Sequence, residues 1–234
     1  MKQLNYLRTL MLLIVVPIIA ITSSGQDNPQ SRKYPLNDFK KVYLEGSYRV
    51  YLIQGDTAGL EIRSNDADIF DLIEVNNNES ALSLKVTRNH IDFSRVTLYI
   101  TVKDLEKMII QGGVNLKTKG YLKLNDFYVG VEGGANIDMD LKANHVQING
   151  QGGVLVELSG ESKVLDVKLE GAGHVNAGEL KSETVNFRID GVGTGSVNAT
   201  KELNASLHGV GKILYRGDPV VNKNIDGLGT VARN

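Results

Sequence analysis

The stretch KLEGAGHVNAGEL, residues 168–180, decides the fold because the chain keeps returning to it. Its variants are IIQGGVNL (109–116), GVEGGANI (130–137), INGQGGVLV (148–156), IDGVGTGSV (189–197), LHGVGKI (207–213) and IDGLGTV (225–231). Taking the first glycine of each copy gives Gly112, Gly133, Gly150, Gly171, Gly191, Gly209 and Gly227. Their spacing is roughly 19 residues, the period of a stacked β repeat. Two positions before that glycine stand Ile110, Val131, Ile148, Leu169, Ile189, Leu207 and Ile225, all aliphatic. Four positions before it stand Met108, Val129, Val146, Val167, Phe187, Ala205 and, as an exception, Lys223. Four positions after it come Leu116, Ile137, Val154, Val175, Ile213 and Val231. The copy at Gly191 needs a two-residue insertion, Thr194-Gly195, to bring Val197 into that column. A second apolar leg follows at Leu122, Leu141, Leu158, Leu180 and Leu203.

Aligned columns have a direct physical meaning. If each copy is one circuit of the chain, like positions stack about 4.8 Å apart in a parallel sheet, and inward side chains form aliphatic ladders. Parallel strands usually need a helical crossover, for which these intervals leave no room. The expected fold is therefore all-β, a right-handed parallel β-helix (β-solenoid) with Gly-x-Gly coils over residues 105–234, the hand coming from the family likeness described below. Residues 40–104 alternate in the same way, at Val42, Leu44, Val50, Leu52, Leu60, Ile62, Leu82, Leu84, Leu98 and Ile100, and read as degenerate first coils or a β cap. The short stretch 66–73 is a weak helical candidate.

The glycines themselves read as coil corners. Glycine reaches positive φ without steric cost and lets neighbouring backbones approach closely. A phosphate-binding turn would instead open a helix, whereas each glycine pair here leads into further β pattern. The nonapeptide calcium repeat is also a poor match, since the Asp138 position becomes Asn176 in the copy at Gly171 and Leu155 or Glu157 in the copy at Gly150.

One polar column accompanies the ladder. The residue before each first glycine is Gln111, Glu132, Asn149, Glu170, Asp190, His208 or Asp226. It is the outward half of a period-two alternation, and it is also a candidate binding strip for a weak cation or a basic partner. Glu132, Glu170, Asp190, His208 and Asp226 are its candidate residues. No catalytic residue and no metal ligand is assigned: His145, His174 and His208 fall at different offsets, and GxSxG and HExxH are absent. No cofactor is expected.

Composition narrows the class. The 234 residues carry a formal net charge of -1, so no global basic field attracts nucleic acid. With no cysteine there is no disulfide, thiolate chemistry or lipoprotein anchor. Aromatics are 6% without tryptophan, which leaves little for a sugar-stacking groove. Tyr48, Tyr51, Tyr99, Tyr121, Tyr128 and Tyr215 read as edge or cap packing. Residues 1–25 read as a cleaved signal peptide: Lys2 and Arg8 precede an apolar run from Leu10 to Ile21, then the small residues Thr22 to Gly25. The run is interrupted by Pro17 and is too short to span a bilayer comfortably. Residues 26–39 read as a flexible linker.

The opening VYLEGSYRVYLIQGD (42–56), the serial IxGxG copies and the closing LHGVGKILYRGDPVV (207–221) and IDGLGTV (225–231) resemble the putative auto-transporter adhesin, head GIN domain family. The likeness covers about residues 40–234. It implies a right-handed β-helical fold and a periplasmic, outer-membrane-surface or extracellular location, and it carries over no catalytic residues. The early copies depart from the family's Gly-Ser-Gly form, with Gly112-Gly113 and Gly133-Gly134. The expected function is a secreted, non-enzymatic, adhesin-like module of the cell envelope, with an unknown surface protein or glycan as partner. The alternatives are a polysaccharide-acting enzyme and a structural assembly module, the last repeat at GTVARN (229–234) leaving an edge open to a second copy.

Overall fold

A computed structural model describes residues 29–78, 80–87 and 96–234. The expected signal peptide and His90 lie outside the described residues. The strands are β1 Gln30–Pro35, β2 Lys41–Gln54, β3 Gly59–Ser64, β4 Ile73–Asn78, β5 Ala81–Val86, β6 Thr97–Val102, β7 Lys107–Thr118, β8 Leu122–Lys123, β9 Asp126–Arg216 and β10 Val220–Arg233. Among the described residues there is no α-helix. The weak helical candidate is one 3-10 helix, Ala67–Asp71, capped by the Asp66 side chain, which accepts from the Asp68 N–H at 3.0 Å.

The all-β expectation holds, in an open sheet of mixed direction. Its order is β1-β3-β6-β2-β7-β9-β10, with β5 and β4 branching from β2 and β8 beside β9. β2–β7, β7–β9 and β9–β10 pair in parallel. β1–β3, β3–β6 and β4–β5 pair antiparallel. β2 pairs in parallel throughout, meeting β7 along Lys41–Leu52 on one side and β5 and β6 on the other.

β9 is 91 residues of extended backbone, and it lies against itself at a regular offset. A Cβ built on Gly152 would stand 2.3 Å from the Gly133 carbonyl oxygen, and one on Gly191 would stand 2.3 Å from that of Gly171. Side chains 18 to 21 residues apart bond to one another, as Asn186 to Asp166 and Asn204 to Asn186. Aliphatic columns follow from that stacking. Ile110, Val131, Leu169, Ile189 and Leu207 are buried in one column, to which the third copy contributes Gly150, while its Ile148 is buried level with Val129 and Val167. Leu122, Leu141, Leu158, Leu180 and Leu203 are buried too. Each full burial of such a side chain contributes about 2 kcal/mol. Ile225 is 37% exposed, because β10 is the last strand on its side of the sheet among the described residues.

Three expectations need correction. The corner of the third copy is Gly152 and not Gly150. Gly152 has φ +119° and lies over Gly133, while a Cβ on Gly150 would meet the Val154 and Leu169 side chains. Gly46 joins the same column from β2, in register with Gly112. Next, Thr194-Gly195 is no insertion. His174 bonds Thr194 and Asn176 bonds Ser196 at one offset of 20, so Gly195 stands level with Val175. Its missing side chain makes room for the Phe187 ring, whose Cε1 would lie 1.9 Å from a Cβ there. Finally, residues 30–35 of the expected linker form β1. All but Tyr34 are exposed, so no apolar alternation marks the strand, and its backbone bonds to β3 hold it.

Candidate binding face

Period-two alternation turns every second side chain outward, and stacked corners bring those side chains into columns. With the corner at Gly152, the residue before each corner is Gln111, Glu132, Gln151, Glu170, Asp190, His208 or Asp226, so Gln151 replaces Asn149 in the column. Asn149 lies two positions earlier and donates to the Tyr128 hydroxyl at 3.3 Å.

The column breaks into short bonded pairs. Gln111 donates to Glu132 at 2.9 Å, and Gln151 donates to Glu170 at 2.9 Å. His208 Nδ1 lies 3.2 Å from Asp190 Oδ1, and Asp226 is the register partner of His208 on β10. Glu170 and Asp190 are each held by a cation two residues back on their own strand, Lys168 and Arg188, the latter at 2.6 Å. The Lys168 ammonium holds the Glu170 carboxyl below the usual carboxylate range. The Arg188 guanidinium does the same for Asp190, against the desolvation that pushes the other way. These carboxylates are therefore firmly ionised at neutral pH, the reverse of what a general acid needs. Their charge is already matched, which removes the repulsion between stacked acids that would otherwise draw in a cation.

Beside this column runs a ladder that the sequence reading did not single out. Asn222 donates to Asn204 at 2.9 Å, Asn204 to Asn186 at 2.8 Å, and Asn186 to Asp166 at 2.6 Å. His145 Nε2 closes the chain on the other oxygen of Asp166 at 2.7 Å. The signal was present, since Asp166, Asn186, Asn204 and Asn222 each stand five residues before a corner glycine. The ladder and the Lys168–Arg188–Ser206 column between it and the strip line a shallow groove of about 530 Å³. Its amide groups are bonded to one another, and the groove runs across the strands.

The histidines do not converge. His145 serves Asp166, His174 bonds Thr194 at 2.7 Å and His208 meets Asp190. Among the described residues no group of three or more His, Asp or Glu is placed to hold a metal ion, and no helix is long and apolar enough to cross a membrane. Tyr48 is buried, which pushes its hydroxyl pKa up, and it donates to the Glu45 carbonyl at 3.0 Å. Tyr51 and Tyr99, in contrast, stack on the outer surface with ring centroids 5.1 Å apart.

The family model of the putative auto-transporter adhesin, head GIN domain, matches residues 38–219. The chain belongs to this family. Among solved structures, the head GIN chain is similar to a putative adhesin from Bacteroides fragilis NCTC 9343, with 24% identity, TM-score 0.78, and coverage of 88% of this chain and 97% of that one. It is also similar to a putative lipid binding protein from Parabacteroides distasonis ATCC 8503, at 20% identity and TM-score 0.70, covering 90% and 98%. A putative adhesin from Parabacteroides merdae ATCC 43184 matches at 19% identity and TM-score 0.59, covering 90% and 98%. Likenesses at this level of identity establish a shared fold. No curated protein matches the head GIN chain.

Proposed function

We propose that this head GIN chain is an exported, non-enzymatic β-solenoid of right-handed parallel coils that presents an outward face to a partner at the cell surface. Cleavage near Gln26 releases it into the periplasm or onto the surface, and the partner is an envelope glycan, a matrix component or a surface protein. The observation that carries the reading is the outward face itself. Glu170 and Asp190 on it are neutralised by neighbouring cations and its amides are bonded to one another, along a shallow groove. Such a face suits contact with an extended partner, where many weak complementary bonds add up. The adhesin names of the family and of two of the similar structures point the same way.

Pairing with a second copy belongs to the proposal. β10 is an edge strand of 14 residues, and Val210 and Leu228, register partners just after two corners, are exposed. Open edges of this kind favour association.

The full chain, expressed with its own leader and collected after export, should begin near Gln26 and show saturable binding on a glycan array or to whole envelope fractions. Depolymerised products would overturn the non-enzymatic reading in favour of a polysaccharide-acting enzyme. Retention in the cytoplasm would overturn export.

A further inference from the structure

The strands that begin the sheet carry a second outward face with a different chemistry. Tyr51 on β2 and Tyr99 on β6 are register partners, and their rings stack at 22°. The Lys119 ammonium lies 4.6 Å from both ring centroids, and the Arg63 guanidinium lies 4.5 Å from that of Tyr99. Aromatic faces hold such cations in place without cancelling their charge. Two hollows, of about 430 and 510 Å³, meet at Arg63 and Tyr99; Lys33 and Lys119 line the first and Arg49 the second.

The charge here is unbalanced. Glu61 is bound by Arg63 at 2.6 Å and Asp138 by Lys117 at 2.9 Å. Arg49 and Lys119 form no ion pair among the described residues, and Lys33 only acts on Glu61 from a distance. The face therefore keeps a surplus of exposed cations, arranged around a rigid aromatic pair, on a chain whose net charge is -1.

We propose that this strip, Lys33, Arg49, Arg63 and Lys119 around Tyr51 and Tyr99, docks an acidic polysaccharide whose carboxylate or sulfate groups lie in the two hollows. The inference rests on the surface-binding reading and names its ligand class. A polymer fits because the hollows adjoin, so successive acidic sugars occupy them in turn. Guanidinium forks suit planar oxyanions, and pre-ordered side chains lose little freedom on binding. A membrane surface fits poorly, since none of the exposed large apolar residues belongs to β1, β2, β3 or β6. Nucleic acid fits poorly too, because the ring faces that would stack on bases are taken by cations and by each other. A lysine-rich hollow of about 670 Å³ around Lys123, Lys163 and Lys181 is the rival on this molecule. Its lysines alternate with Glu161 and Glu183, which bind Lys142 and Lys201, so part of its charge is matched.

The test titrates the exported chain with alginate, with dextran as neutral glycan and with phosphatidylglycerol vesicles and duplex DNA as other polyanions. Binding to alginate alone, weakening as salt rises, is expected. The triple variant Lys33→Gln, Arg49→Gln, Lys119→Gln should lose roughly tenfold or more in affinity at unchanged melting temperature, each exposed charge giving a few-fold. Gly59→Leu should block the first hollow without disturbing the fold, because a Cβ there meets nothing within 4 Å. Lys163→Gln with Lys181→Gln should leave alginate affinity within about twofold, as expected for exposed charges outside the contact. Equal binding of vesicles or DNA, or a loss that follows the Lys163 and Lys181 variant instead, overturns the proposal. Saturable binding of dextran with alginate ignored also overturns it, while leaving the surface-binding reading in place.

Discussion

β3 meets β6 antiparallel and β1 meets β3 antiparallel, whereas β7, β9 and β10 follow one another in parallel at a nearly constant offset. The two halves also treat charge differently. In the repeats opposite charges meet either two residues apart on one strand, as Lys168 with Glu170 and Arg188 with Asp190, or 18 to 19 residues apart across neighbouring stretches, as Lys142 with Glu161 and Lys201 with Glu183. Around Tyr51 and Tyr99, Lys33 on β1, Arg49 on β2 and Lys119 just after β7 form no ion pair among the described residues. Stacking explains the contrast. A repeat places like residues above one another, so an unpaired charge would be multiplied along the column. Outside the repeats the neighbours are unlike: Arg49 has uncharged Thr97 and Asn115 as its register partners on β6 and β7.

The comparison can be broken first at the core. Both halves share one cluster of buried side chains, joined through β2 and β7. Ile189→Asp puts a charge into the fully buried ladder and should cost more than about 4 kcal/mol. Urea unfolding should then lose both halves in one transition. Two separate transitions would show that the halves are independent.

A smaller effect tests the fifth repeat. Gly195→Ala should cost about 1–3 kcal/mol, because its Cβ would overlap the Phe187 ring. Adding Phe187→Leu should restore much of that loss in the same denaturation assay. No cost from Gly195→Ala would return Thr194-Gly195 to the status of an insertion outside the ladder.

Charge pairing gives a weaker signal. Asp190 and Glu170 have folded pKa values below their unfolded ones, so their contribution is present above about pH 4 and is lost as pH falls through the folded values. Arg188→Met should flatten that acid-side fall, by only a small amount for a pair at the surface. An unchanged stability-versus-pH curve would show that Arg188 does not hold Asp190. Least of all should come from Leu228→Ser. At 76% exposed it should shift stability by under about 0.5 kcal/mol, yet weaken self-association in sedimentation if β10 is the meeting edge.

Much of this fold is legible in the sequence. Period-two alternation marks the aliphatic columns, and a recurring spacing of roughly 19 residues marks the corners, because a stacked repeat repeats its chemistry. The errors came where two readings share one pattern. INGQGGVLV offers Gly150, Gly152 and Gly153, and only stacking on Gly133 selects Gly152. At Gly195 the compensating bulk sits on Phe187, eight residues away, which no column of equal offsets reveals. The strip from Glu132 to Asp226 was readable as a column, but its pairing with Lys168 and Arg188 needed side-chain geometry. The Tyr51–Tyr99 pair was hidden because β2 and β6 are 48 residues apart in register and share no repeat.

The central claim is that corner glycines stack, turn on turn, with Gly152 in the column. Paired denaturation curves for Gly152→Ala and Gly150→Ala test it most directly. Gly152→Ala forces a side chain to φ +119° and to within 2.3 Å of the Gly133 carbonyl, and should cost more than about 3 kcal/mol. Gly150→Ala presses only on the Val154 and Leu169 side chains and should cost about 1 kcal/mol. Equal losses, or a greater loss for Gly150→Ala, would contradict the stacking.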